Sequence, residues 1–186
     1  MIAQYYGTSW ASRTIQAYQA VKLWMPDSPT HTAFIDDERP QVIEAWQANG
    51  PSGKSGVQVV PSLDTLHTPG TRVELYRVIG QTPDILNRVR DGMLSQVGKP
   101  YDWPGILGGF GFHREQSDPD KAWFCSELVA YWHAQANLPL LQHIPAYKVP
   151  PALLHLSPLL RLAGVWVCGQ GIVERRDWLP DWLKGV

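Results

Sequence analysis

The chain has 186 residues, 44% of them hydrophobic and 18% charged, with a net charge of -1. That balance suits a single soluble globular domain over residues 1–186, long enough to bury a core without disulfide or metal staples. It excludes a basic footprint for nucleic acid, and the absence of any run of about 18 apolar residues excludes a transmembrane helix. Two cysteines, Cys125 and Cys168, are too few for a disulfide framework, and neither has the spacing of a zinc site. The opening Met1-Ile-Ala-Gln-Tyr lacks the basic and apolar regions of a signal peptide, so a reducing, cytoplasmic setting is expected unless a dedicated system exports the chain.

Along the chain, Gly7 to Trp24 starts with Ser and Thr cap candidates and spaces Ile15, Tyr18 and Val21 as a helix that ends before Pro26. Thr30 to Ile35 and Gln41 to Trp46 read as an antiparallel hairpin around the polar turn Asp36 to Pro40. Val57 to Val60 and Arg72 to Ile79 continue the strand pattern. A helix follows from Pro83, with Ile85, Val89 and Met93 at fourfold spacing, and stops at Gly98. Residues Gly98 to Asp120 form a long loop rich in Gly and aromatics, whose Gly108-Gly-Phe-Gly run reads as a mobile loop or lid. Beyond it come a helix from Cys125, a second apolar helix from Ala152 to Leu162 and a last strand from Val165 to Cys168.

The Cys125 helix carries the chemistry. Leu128, Val129, Trp132 and Ala136 recur at helical spacing behind Cys125, which places the thiol at the helix start, among unpaired amides and the positive dipole end. Both lower a thiol pKa, and the thiolate is the nucleophilic form. A base must come from one of six histidines. His133 is roughly 12 Å along the same helix and is out of reach. His31 is best placed, because it begins a rigid strand and the facing strand carries Glu44. If the hairpin pairs residues whose numbers sum to about 77, Glu44 points the same way as His31, one diagonal step along.

Ser28-Pro-Thr-His31, Val42-Ile-Glu44-Ala, Gly98-Lys-Pro-Tyr101-Asp-Trp and Trp123-Phe-Cys125-Ser-Glu, in that order, resemble the circularly permuted branch of the NlpC-type cysteine peptidases, the YiiX-like proteins. In unpermuted members the cysteine helix precedes the histidine strand. The resemblance spans roughly residues 7 to 160 and implies Cys125 as nucleophile, His31 as base, Glu44 as the group that orients the base, and Tyr101 beside the oxyanion. Phe124 stands where unpermuted members have Asp, and Ser126-Glu127 where they have Ser-Gly, so their peptidoglycan specificity does not transfer. The permuted branch is also similar to lecithin–retinol acyltransferase-like proteins, which keeps a lipid acyl substrate open, and Trp103, Phe110, Phe112 and Trp123 would suit one.

The expectation is therefore an α+β, papain-like fold with a mostly antiparallel sheet of about five strands packed by the Cys125 helix. Its function would be thiol hydrolysis of a small peptide, an amide or an acyl lipid through an acyl-enzyme, with acyl transfer, or binding without catalysis, as the other readings. No cofactor is implied. The acidic turns Asp36-Asp-Glu38 and Asp118 to Asp120 read as solvated charge, so no metal is expected.

Overall fold

The computed structural model describes residues 1–48, 55–107 and 122–184. Seven strands form one antiparallel sheet: β1 Ile2–Tyr6, β2 His31–Ile35, β3 Val42–Trp46, β4 Gly56–Val60, β5 Arg72–Val78, β6 Leu160–Val167 and β7 Gly171–Arg175, in the order β4-β3-β2-β1-β5-β6-β7. The helices are α1 Trp10–Leu23, α2 Pro83–Leu94, α3 Trp103–Leu107, α4 Cys125–Gln135, α5 Pro151–His155 and α6 Asp181–Lys184. The fold is thus α+β, with seven strands among the described residues rather than about five.

Three differences from the sequence reading have physical causes. Strand β1 escapes notice because it is central: Ile2, Ala3, Gln4 and Tyr5 are all buried, and a strand covered on both faces shows no alternation. The apolar run from Ala152 is not one helix. Helix α5 ends at His155, Ser157 precedes Pro158 and is thereby steered away from helical backbone, and β6 begins at Leu160. The last strand is β7, whose exposed Glu174 and Arg175 hide its pairing with β6.

The sheet separates two apolar layers. On one side Phe34, Ile43, Ala45 and Tyr76 pack against Val89 and Met93 of α2 and Leu128 and Val129 of α4. On the other, Ala33, Ile35, Val42, Val73 and Trp166 are covered by Leu63, Leu179 and Leu183. Helix α2 opens on Thr82, whose side chain accepts the Ile85 N–H, followed by Pro83 at the first helical position. Such a cap is worth about 1 kcal/mol. Asp36, expected in solvent, is buried; its carboxylate accepts from the Glu38 N–H and the Gln41 amide and so closes the β2–β3 turn.

The turn leading into β2 is clamped from below. Gln19 of α1 donates to Ser28 Oγ and to the Pro29 carbonyl, each at 2.9 Å, and accepts the Ala152 N–H at 2.9 Å. Three elements thereby fix the backbone two residues before His31.

Candidate functional site

The site begins with a sheet that opens. Strands β2 and β3 pair only at Phe34 with Ile43 and Ile35 with Val42, whereas β3 and β4 pair along their full length. The register is the one the sequence suggested, but the ladder stops before Ala33 and Glu44 can face each other. Beyond the break the Thr32 N–H, which a continued ladder would commit to β3, points at the Cys125 sulfur. The Cys125 sulfur, at the start of α4, takes the place of a β3 acceptor there.

Helix α4 opens on Phe124, which supplies no side-chain cap. Its first amides are left to other acceptors, and the Ser126 N–H is directed at the Cys125 sulfur. The thiol is buried, as are Trp123 and Phe124 before it and Leu128 and Val129 behind it. Truncating a buried aromatic such as Phe124 to Ala costs about 3–5 kcal/mol, so the helix start is held firmly. The Ser126 hydroxyl adds a 2.6 Å bond to the Val149 carbonyl.

Cys125, His31 and Glu44 follow one another in space. The thiol lies at hydrogen-bonding range of the His31 imidazole, and His31 Nε2 bonds Glu44 Oε2, which leaves Nδ1 for the thiol. All three are buried. Burial alone would push the thiol up and the imidazole down. The mutual attraction of thiolate and imidazolium outweighs it, so Cys125 falls below the ordinary thiol range and His31 rises above the ordinary imidazole range. Glu44 is likewise raised by burial, yet its bonds to His31 and His67 bring it down and keep it a carboxylate.

His67 is the member that the sequence reading missed. Its Nε2 stands 3.5 Å from Glu44 Oε2, and its ring stacks on Tyr5 at 3.7 Å between centroids. Burial pushes its pKa down, partly countered by Glu44. It lies in the connector between β4 and β5, before Thr68-Pro69-Gly70, where a histidine looks like a solvated turn residue. No local pattern marks it, because only the β4–β5 excursion brings it back over the sheet.

Tyr101 reaches the thiol from a third direction. Its segment bridges Trp123 in parallel, and the Val57 N–H donates to the Lys99 carbonyl at 2.9 Å. Gly56 permits this approach: it sits at φ +128°, and a Cβ there would lie 2.1 Å from the Lys99 oxygen. The phenol is buried without a hydrogen-bond partner of ordinary geometry, and burial followed by the Cys125 charge holds its pKa well above 10. It therefore stays a donor.

A cavity of about 330 Å³ adjoins the site, lined by Trp10, Trp46, Leu66, His67 and Trp103 among others. Trp46 meets the His31 ring edge-on at 5.2 Å, and Trp103 meets the Tyr101 ring at 5.3 Å. Of the four aromatics expected around an acyl group, Trp103 lines this cavity and Trp123 is instead fully buried core. Phe110, Phe112, the Gly108 lid, Asp118 and Asp120 lie outside the described residues. The Nδ1 of His133 bonds the Val129 carbonyl, and burial pushes its pKa down to about 4. Cys168 is a free buried thiol, as is Cys125.

No helix among the described residues is long and apolar enough to cross a membrane. No protein-family model matches the chain, and no curated protein matches it.

Proposed function

We propose that the protein is a thiol hydrolase that cleaves an amide or ester through an acyl-enzyme on Cys125, in a papain-like fold of the permuted NlpC type. The observation that carries this reading is the buried series of thiol, imidazole and carboxylate at an uncapped helix start. A cysteine that merely filled space would not need an imidazolium on one side and two backbone amides on the other.

In this reading the Cys125 thiolate attacks the substrate carbonyl. Tyr101, an unpartnered donor beside the sulfur, hydrogen-bonds the developing oxyanion, a contact worth about 3 kcal/mol of barrier in comparable sites. Imidazolium His31 gives its proton to the leaving group and, once neutral, takes one from the water that releases the acid. Glu44 holds the imidazole by its Nε2–H throughout.

A long-chain acyl substrate, with transfer to an alcohol or amine in place of water, is the second reading. The cavity favours it, because Trp10, Trp46, Leu66 and Trp103 make its walls largely apolar. Reaction with activated short-acyl, long-acyl and acyl-amino-acid esters tests both. A burst with a mass adduct on Cys125, absent in Cys125→Ser, is expected. Long-chain preference with transfer would select the lipid reading, and hydrolysis of acyl-amino acids the peptidase-like one. No adduct with any donor would defeat the proposal.

A further inference from the structure

We propose that His31, Glu44 and His67 together form a binding site for a zinc ion, and that the bound ion holds the thiol site inactive. One nitrogen of each imidazole and one carboxylate oxygen lie within 4.8 Å of one another. Two imidazoles and a carboxylate are a donor set that zinc takes while leaving its fourth position open. Donors at about 2.0–2.2 Å around a tetrahedral ion stand roughly 3.3–3.5 Å apart. His67 Nε2 and Glu44 Oε2 are already 3.5 Å apart, so one edge of the tetrahedron exists; the His31 to Glu44 contact has to open, and the two imidazole nitrogens, within 4.8 Å of each other, have to settle at the same spacing.

A second observation points to a ligand. Glu44 Oε1 is buried without a hydrogen-bond partner, and His67 Nε2 has a long 3.5 Å approach to Glu44 Oε2 in place of a hydrogen bond of ordinary geometry, on side chains 1% and 5% exposed. Buried polar atoms are normally satisfied, and a cation would take a lone pair from each residue. Glu44 Oε1 is untethered, so the carboxylate can pivot to make room. The His67 ring is held flat against Tyr5 and meets Trp46 edge-on, which fixes the direction of its lone pair. His67 also lines the cavity beside the site, and that cavity gives the ion a way in.

Binding has a defined consequence for the proton inventory. Zinc replaces the proton on His31 Nε2, which leaves to solvent, and withdraws Glu44 from its orienting bond. The proton that remains on the ring sits on Nδ1, towards Cys125, and the imidazole, pinned to the ion at Nε2 and stripped of the Glu44 bond that orients it, can no longer carry that proton to the leaving group. This consequence rests on the thiol-hydrolase reading, whereas the binding itself does not.

The rival location is the Cys125 and His31 pair, since thiolates are zinc ligands. Calorimetric titration of zinc chloride into Cys125→Ser protein separates the two. Binding is expected to persist there, and His67→Phe, which keeps a ring over Tyr5, should weaken it by roughly 100-fold. Zinc-edge X-ray absorption of the wild-type complex should show nitrogen and oxygen donors at about 2.0–2.2 Å and no sulfur near 2.3 Å. That spectrum decides the matter even where His67→Phe does not fold. A sulfur donor, binding lost in Cys125→Ser, undiminished binding in a folded His67→Phe, or no binding at all would overturn the site. Zinc bound as proposed while the Cys125 acyl adduct still forms at full rate would overturn its inhibitory role.

Discussion

Cys125 and Cys168 are each 1% exposed and each a free thiol, yet their environments drive them in opposite directions. Cys168 follows β6 among acceptors: its thiol donates to the Leu63 carbonyl, and burial with the nearby Asp64 pushes it up to about 12. Burial acts on Cys125 in the same sense. There it is overcome by the His31 imidazolium and by the amides of Thr32 and Ser126, all of which favour a negative sulfur. Depth therefore does not distinguish a nucleophile from a filler. The sign of the neighbouring groups does, and here it follows from a β2–β3 ladder that stops early and a helix that starts without a cap.

The contrast breaks most completely with His31→Ala. Acyl-enzyme formation on Cys125 at neutral pH should fall by about 10²–10⁴-fold, since the group that stabilises the thiolate and protonates the leaving group is gone. Burst kinetics would read this, and a variant with an undiminished burst would erase the distinction between the two thiols. Tyr101→Phe should cost about 10²-fold in the acylation rate. It should leave alkylation of Cys125 by iodoacetamide unchanged, because that reaction develops no oxyanion. Loss of alkylation as well would make Tyr101 a packing residue.

Glu44→Gln should slow acylation less than either, because the carboxylate orients the base without touching the substrate. Cys168→Ala should leave acylation at the wild-type rate and lower stability by about 1 kcal/mol, the scale of a small buried group removed. Urea denaturation and the same burst assay check both halves.

The thiol, imidazole and carboxylate of this arrangement were more legible in the sequence than their surroundings. The apolar periodicity after Cys125 places the thiol at a helix start, and the hairpin register puts Glu44 on the His31 side of β3, because both depend on contacts a few residues apart. The break in the β2–β3 ladder was not legible: Ala33 and Glu44 both lie within strands, and the Cys125 sulfur that takes the Thr32 N–H comes from a helix far along the chain. His67 was hidden for the same reason. Strand β1 was missed because Ile2 to Tyr5, buried on both faces, carry no alternation to read. Asp36 was read as a solvated turn acid, since nothing local announces the Gln41 amide that bonds it.

The pH dependence of Cys125 alkylation tests the central claim, that the sulfur is a thiolate held by His31. A lowered thiol pKa keeps the anion present as pH falls below the ordinary thiol range of about 8.5, so the rate should drop only when pH passes below the lowered value. On the alkaline side the raised pKa of His31 keeps the imidazolium in place through neutrality. Mass-resolved iodoacetamide labelling of the native protein from acid to alkaline pH should therefore show Cys125 still modified rapidly below the ordinary thiol range, with Cys168 inert. In His31→Ala the Cys125 profile should move to the alkaline range of a buried thiol. An ordinary thiol profile for wild-type Cys125, or one that His31→Ala leaves in place, would contradict the account.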